Sequence, residues 1–412
     1  MSPKIRLMVM AGTALASGIA SAQSLDQTRE YAAEVMADAQ QRTSLLGSAA
    51  ANGAQFGITS ADGSSTLNFS GWNQTTYTIS FLDDNGGAED DFETGFQSPD
   101  TRLIFSGSVV SPDTTYKIEL AINEMGTVAL RNAYLAQDFG NNTSGWVGQF
   151  TAPVTRESMV ENNLRQTIST TPTDWFFSAG QIQGAAFSLT DEGNSYRVTG
   201  SFNDGANSGN TPYTAANDGD YGLTVRGDYA FEGTVDPYYS ATRQLPGGEN
   251  AMILGGYFHI QQNAETPTQD DTQVIAFGAD FLIDNSNGWN FYGAFNLAST
   301  DQDSAGETFL DTGIVLQGGY FVQNNTEVFG SWDILIPDDG RAGEPDPFST
   351  LAFGVNHFPF DGTQAVRLAG QVTIFIDDPA DSGGLVTTNT NAGLVDTNGS
   401  SVSVQGLAQV SF

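Results

Sequence analysis

The last eleven residues, Val402-Ser403-Val404-Gln405-Gly406-Leu407-Ala408-Gln409-Val410-Ser411-Phe412, alternate almost strictly between apolar and polar side chains. Successive side chains of a β-strand point to opposite faces, so one face of this strand is apolar and the other mainly polar, with Leu407 the exception. The chain then ends on an aromatic residue. A strand of a soluble sandwich can alternate in this way, but a strand with lipid outside and water inside must do so.

The first 22 residues have the features of a secretory signal peptide. Lys4 and Arg6 precede a short, mostly apolar stretch at 7–20, and Ala20-Ser21-Ala22 is an A-x-A cleavage site. The apolar stretch is too short to cross a membrane as a helix. An ordinary starting helix is the alternative interpretation. We expect the chain to be exported and its mature form to begin at Gln23.

Without the signal peptide the chain is strongly acidic. Twelve basic residues remain against 48 acidic ones, a net charge of −36, and Lys117 is the one remaining lysine. Nucleic-acid binding needs a basic surface, so this class of protein is excluded. The chain has no cysteine, which excludes disulfides and thiolate metal sites. Its 47 glycines and 27 phenylalanines, without an apolar run of about 20 residues, indicate an all-β chain with many turns.

The sequence divides into four parts. A signal peptide (1–22) is followed by a helical segment (23–50), a linker rich in glycine, serine and alanine (51–65), and a long β-rich region (66–412). The short helix has one weak apolar stripe and would lie in the periplasm. It could form a short coiled coil, and a solvated leader helix is the alternative.

Period-two alternation recurs along the β-rich region, in 67–81, 103–109, 116–122, 196–202, 223–231, 275–283, 289–297 and 366–376. Short polar turns, as at 111–114, alternate with long connections such as 152–182 and 301–312, which is the pattern of bacterial outer-membrane barrels. We therefore predict an all-β fold, a transmembrane antiparallel β-barrel of about 16 strands, closed because lipid does not tolerate open strand edges. Residues 232–250 could be a long turn or an extra strand pair. None of the 14 prolines falls inside a predicted strand core.

Charged residues in the predicted strands fall on the phase opposite to the apolar one. A charge on the lipid face at mid-membrane costs roughly 2–4 kcal/mol, so this charged phase should face a lumen. Scattered surface charges of a soluble β-protein are the alternative. The connection 152–182 is long and charged enough to fold into the lumen and narrow it, or it could be an outer surface loop. The predicted pore-lining and constriction residues are Arg102, Lys117, Glu119, Arg131, Arg156, Glu157, Glu161, Arg165, Arg197, Arg226, Asp228, Asp280 and Arg367.

Motifs of enzymes are lacking. His259 and His357 lie on separate predicted strands, and no nucleophile elbow, phosphate loop or metal-ligand spacing appears. Paired acids such as Asp90-Asp91 and Asp338-Asp339 are most simply solvated, although carboxylates in these loops could hold Ca²⁺ or Mg²⁺. We predict that the protein is not an enzyme and needs no cofactor.

Two stretches resemble the phosphate-selective porin O/P family. The first runs from Leu130-Arg131-Asn132-Ala133-Tyr134 through Asp138-Phe139-Gly140 to Gly148-Gln149-Phe150-Thr151-Ala152-Pro153, and the second covers 95–107. The family often shows R-x-A-Y, then D-F-G, then G-Q-F-K-x-P, so Thr151 stands where the family has lysine. The resemblance covers 55–412 and implies a sixteen-stranded trimeric channel whose third loop folds inward from Pro153.

The sequence thus favours a passive diffusion porin of the bacterial outer membrane, with a mild cation preference from its acidic balance. Its expected partners are outer-membrane lipid, small hydrophilic solutes, the barrel assembly machinery that would recognise the strand ending in Phe412, and two further copies in a homotrimer. One alternative is a solute-specific channel, including phosphate or anion uptake along the arginines. Another is a structural or adhesive outer-membrane β-protein that binds divalent cations with its acidic loops.

Overall fold

A computed structural model describes residues 56–82, 92–214, 219–235, 245–263, 272–302, 307–341, 343, 345–396 and 401–412. The predicted signal peptide, the predicted helix at 23–50 and the first part of the predicted linker lie outside these residues. No helix in the described part of the chain is long and apolar enough to cross a membrane.

The described residues form an antiparallel sheet that closes on itself. Strands β2 to β17 pair in chain order, and β17 pairs back with β2, so the sixteen strands make a closed barrel. The predicted fold class is confirmed. The strands are β1 Phe56–Thr59, β2 Thr66–Phe81, β3 Phe92–Val109, β4 Ser111–Ile122, β5 Val128–Gly140, β6 Thr143–Thr151, β7 Gln181–Thr190, β8 Tyr196–Asn203, β9 Gly219–Glu232, β10 Ala251–Asn263, β11 Thr272–Asp284, β12 Trp289–Gln302, β13 Glu307–Gln323, β14 Thr326–Ile336, β15 Phe348–His357, β16 Val366–Phe375 and β17 Ser401–Ser411.

Within the described residues, helical structure is confined to connections. Two short α-helices, α1 Arg156–Met159 and α2 Pro172–Phe177, lie between β6 and β7. Single 3₁₀ turns occupy Asn162–Leu164 in the same connection and Pro379–Ser382 between β16 and β17.

The seam between β17 and β2 explains why the C-terminal alternation matters. Phe412 and Gly71 exchange two backbone hydrogen bonds of 2.9 Å, and the Phe412 ring lies 5.6 Å from the Phe69 ring. A Cβ atom on Gly71 would lie 2.2 Å from the carbonyl oxygen of Arg102 and 3.0 Å from the Phe412 ring, so this position requires glycine. Strand β1 pairs with β2 at 66–69, beyond the end of β17.

Burial alternates along the barrel strands as the sequence pattern predicts. In β17 the side chains of Gln405, Leu407 and Gln409 are buried, whereas Val404 and Val410 are exposed on the outside. The exposed side chains of the other strands are largely aromatic and aliphatic, and the buried ones are largely polar. This arrangement fits lipid outside and a polar interior. Leu407 is an apolar residue on the inner phase.

Two prolines lie inside strands, because β3 and β4 begin before the predicted strand cores 103–109 and 116–122. Pro99 of β3 sits where the pairing shifts between Gln74–Asp100 and Thr76–Gln97. Pro112 of β4 precedes the first β4–β5 pair. Proline lacks the N–H that a regular ladder needs, and both positions avoid that requirement.

Several connections differ in length from the predicted ones. The turn predicted at 111–114 is instead a tight reversal at Val110, whose φ is 69°. β12 ends at Gln302 and β13 begins at Glu307, so the predicted loop at 301–312 is largely strand. β9 pairs directly with β10, so no further strand lies between these two in the barrel wall.

Candidate pore constriction

The connection between β6 and β7, residues 152–180, folds into the barrel and is called the inner loop below. Its backbone carbonyls accept hydrogen bonds from side chains on distant parts of the wall. Arg226 of β9 donates to the carbonyl of Val154 at 2.7 Å, and Gln409 of β17 donates to that of Asn163 at 2.9 Å. Because β9 and β17 are eight strands apart in the barrel order, the inner loop crosses the interior.

The two helices of the inner loop interlock through their first residues. Thr171, the N-cap of α2, donates its backbone N–H and its hydroxyl to Glu157 at 2.9 and 2.8 Å. Thr155, the N-cap of α1, donates its hydroxyl to Asp174. Burial, together with the neighbouring Asp174, raises the pKa of Glu157 to about 8.

The acidic pair Glu157 and Glu161 does not share one helical face. Helix α1 ends at Met159, and Glu161 lies in extended conformation. Glu157 therefore turns into the loop, whereas Glu161 reaches the wall and contacts Lys117 at 3.0 Å. Their spacing of four residues would suit a single helical turn, but the structure does not place both residues on one.

Three cations on adjacent strands, Arg102 of β3, Lys117 of β4 and Arg131 of β5, form a group that we call the basic wall. They surround the fully buried Glu119, with nitrogen–oxygen distances of 3.1, 2.9 and 3.7 Å respectively. Arg102 also pairs with Asp100. The basic wall thus faces the inner loop through the Lys117–Glu161 contact.

Several other predicted site residues are buried and contact other side chains of the protein. Arg226 lies between Asp228 and Asp280 at 2.8 and 2.9 Å, and all three are buried. Arg156 is fully buried, and its guanidinium lies 5.4 Å from the centre of the Tyr292 ring.

The two remaining arginines of the wall differ in exposure. Arg367 is fully buried and donates to the carbonyls of Arg165, Gln166 and Thr167 at 2.7, 2.9 and 3.3 Å. Arg197 of β8 is half-buried and pairs in register with Asp228 of β9, away from the basic wall. The structure therefore does not place all the predicted residues along one exposed row.

A second connection also folds inward, which the sequence did not predict. Residues 376–396, between β16 and β17, are called the second inner loop. Ser80 donates to the carbonyl of Gly393 at 2.7 Å, and Gln405 donates to that of Asn391 at 3.1 Å. Val386 and Leu394 are buried in one apolar cluster with Phe177 of the inner loop and with wall residues. The apolar side chains inside this long acidic segment were the feature of the sequence that could have predicted its inward folding.

Glu327 is a buried carboxylate that the sequence reasoning missed. It accepts hydrogen bonds from Gln166 of the inner loop at 2.5 Å, from Asn356 at 2.9 Å and from Asn290 at 3.2 Å. It has the same phase on β14 as Asp333, which accepts from the backbone N–H of Thr173 at 3.1 Å. Period-two counting from Asp333 would have identified it.

The site is thus the interior of a closed membrane-type barrel, narrowed by a loop that is bonded to several strands. Among the described residues, no group of three or more acidic or histidine side chains is arranged to hold a metal ion. Acidic loop residues as ligands of Ca²⁺ or Mg²⁺ stay a prediction.

Solved structures similar to this chain are porins and outer-membrane channels. The anion-selective porin from Comamonas acidovorans aligns with a TM-score of 0.60 and 13% identity, over 84% of this chain and 100% of the porin. The outer-membrane channel DcaP of Acinetobacter baumannii gives 0.58 and 12%, over 86% and 99%. OmpT of Vibrio cholerae, an outer membrane protein in trimer form, gives 0.57 and 12%, over 85% and 100%. At these identities the likeness establishes the porin-type barrel fold. No family profile and no curated protein matches the sequence.

Proposed function

We propose that the protein is a diffusion porin of the bacterial outer membrane, through which small hydrophilic solutes and ions pass without chemical change. The observation that carries this proposal is the inner loop, which crosses the interior of a closed barrel and meets the basic wall at Glu161 and Lys117. A loop in this position limits solute size, and the charges beside it bias which ions pass.

Ion selectivity would depend on the charges that remain accessible. Glu161, Lys117 and Arg131 keep 29%, 21% and 21% of their side-chain surface exposed, whereas Glu157 is buried. The acidic excess of the chain supports a mild cation preference in salt gradients. A solute-specific anion channel is the second candidate, and the accessible Arg131 favours it.

The experiment is single-channel recording in planar bilayers. Folded protein should give stepwise KCl conductance, and liposomes that contain it should swell in small sugars but not in large oligosaccharides. A folded barrel that gives neither signal would contradict the porin proposal and favour the structural or adhesive alternative.

The proposed partners include two further copies of the chain. Asn73, Thr75 and Thr101 are polar residues on the outer phase, and Asn73 donates to the Thr101 hydroxyl at 2.7 Å. Polar groups facing hydrocarbon are unfavourable, so we propose that another copy of the chain covers this patch in a homotrimer.

Membership in the phosphate-selective porin O/P family is a narrower proposal. It is supported by the family-like motif that ends at Pro153, where the inner loop begins. Whether or not the chain belongs to that family, the proposed partners also include the barrel assembly machinery, which would act on the strand that ends at Phe412.

A further inference from the structure

Arg131 differs from the other two residues of the basic wall in its pairing. Its Nε is buried and has no hydrogen-bond partner among the described residues, its closest acidic oxygen is Glu119 Oε1 at 3.7 Å, and 21% of the side chain is exposed. Arg102 and Lys117 approach the same carboxylate to 3.1 and 2.9 Å. A guanidinium has five N–H donors, so Arg131 retains donors that the protein does not engage closely.

The carboxylates around Arg131 are already engaged by other donors. Glu119 also accepts from Asn132 at 2.6 Å. Asp100 pairs with Arg102 and accepts from Trp72 at 2.8 Å, and Glu161 pairs with Lys117. A carboxylate that accepts several hydrogen bonds has little capacity left for another cation. The wall therefore leaves Arg131 available to an outside anion.

A β-bulge explains why Arg131 faces the interior. Asn132 pairs with Glu119 and Leu130 pairs with Leu120, so Arg131 is the extra residue between them. Without the bulge, strict alternation would put Arg131 on the outer phase with Leu135. Bulges commonly redirect a side chain beside a functional site.

We propose that Arg131 is a docking site for the carboxylate of a small organic solute that passes the constriction. The planar guanidinium can donate two parallel hydrogen bonds to a carboxylate, which a lysine cannot match. Tyr134, on the same strand, pairs in register with Lys117 and packs against the interior apolar cluster. Its ring offers an apolar surface to the body of the solute and its hydroxyl one more donor. The solute class is thus monocarboxylates with a small aromatic or aliphatic body.

This inference rests on the proposed function, because the solute reaches Arg131 through the channel. The test uses reconstituted full-length protein, with benzoate as the probe and benzamide as its neutral match. Benzoate should reduce KCl current in a saturable way, and benzamide should not. Arg131→Gln should weaken the benzoate effect by about tenfold or more, because one charge-assisted pair of hydrogen bonds is lost. Arg131→Lys should weaken it less, because the charge remains.

Arg197→Gln is the matched control, since it removes an equal charge from the inner phase of β8. If Arg197→Gln weakens the benzoate effect as much as Arg131→Gln does, the overall electrostatic field of the lumen is responsible and not a docking site. The inference is then wrong. KCl conductance without any benzoate effect would also overturn it while the porin proposal stands. If the protein does not conduct, calorimetry with benzoate in detergent still measures binding, and no binding there would refute the docking site separately.

Discussion

Arg367 shows how a charged residue inside a channel can serve to position a loop. Its guanidinium donates to three successive carbonyls of the inner loop, at 165–167, and to the side-chain oxygen of Asn356 at 2.9 Å. The side chain is fully buried. Its removal would leave several buried acceptors without partners, which costs more than losing a solvated charge.

We therefore expect Arg367→Gln to destabilise the folded barrel by about 3 kcal/mol or more, as the loss of one partner of a buried charged network does. Single-channel recordings should also show larger or noisier conductance, because the inner loop is released. Heat-modifiable gel migration measures the stability, and Arg197→Gln, which is half-buried, should change it little. Equal stability of the two variants would show that Arg367 does not hold the loop.

Glu157 makes the docking of the inner loop dependent on pH. Burial and the nearby Asp174 raise its pKa from 4.5 to about 8. A raised pKa means that the docked loop prefers the protonated acid, so this contribution to docking is fully present below pH 4.5 and is lost as the pH rises through 8. Current noise should therefore increase above pH 8. Glu157→Gln, which stays neutral, should remove the effect, whereas Glu161→Gln should leave it.

At the scale of a strand, the alternation predicts opposite effects from adjacent substitutions. Leu120 of β4 lies on the outer phase and Ala121 on the inner phase, beside Arg102 in register. Leu120→Arg should reduce folding yield strongly, since an arginine at mid-membrane on the lipid face costs roughly 2–4 kcal/mol. Ala121→Arg should reduce it much less. Urea unfolding in detergent or lipid measures both, and similar losses would contradict the assignment of faces.

The sequence predicted the strands well because lipid and water impose a simple period. It did not predict Pro99 at a bulge, because bulges depend on pairing with a partner strand. Arg131 was expected on the inner face, but the bulge through which it reaches the interior could not be read from the sequence. Period-two counting shows which face a side chain takes, but it does not show how deeply a loop buries it. That is why Arg226 and Arg367 were expected beside water.

At the scale of the whole molecule, two loops share the interior. The second inner loop contributes Val386 and Leu394 to the same apolar cluster as Phe177 of the inner loop. Neither contact could be predicted, since Phe177 precedes Val386 and Leu394 by more than two hundred residues in the chain. We expect replacement of 385–395 by a short glycine-serine linker to raise single-channel conductance while the barrel still folds. Unchanged conductance in the folded variant would mean that the second inner loop does not limit the path.

The seam between β2 and β17 has a consequence for biosynthesis. Gln74 of β2 donates to Gln409 of β17 across 335 positions of the chain, so β2 meets its second neighbour only after β17 has been synthesised. Until then two strand edges remain open, and contacts of such long range form slowly. Open edges of this kind are prone to pair with other chains. Closure of the barrel therefore waits for β17, and we expect a chain without this strand not to reach the observed pairing with β2.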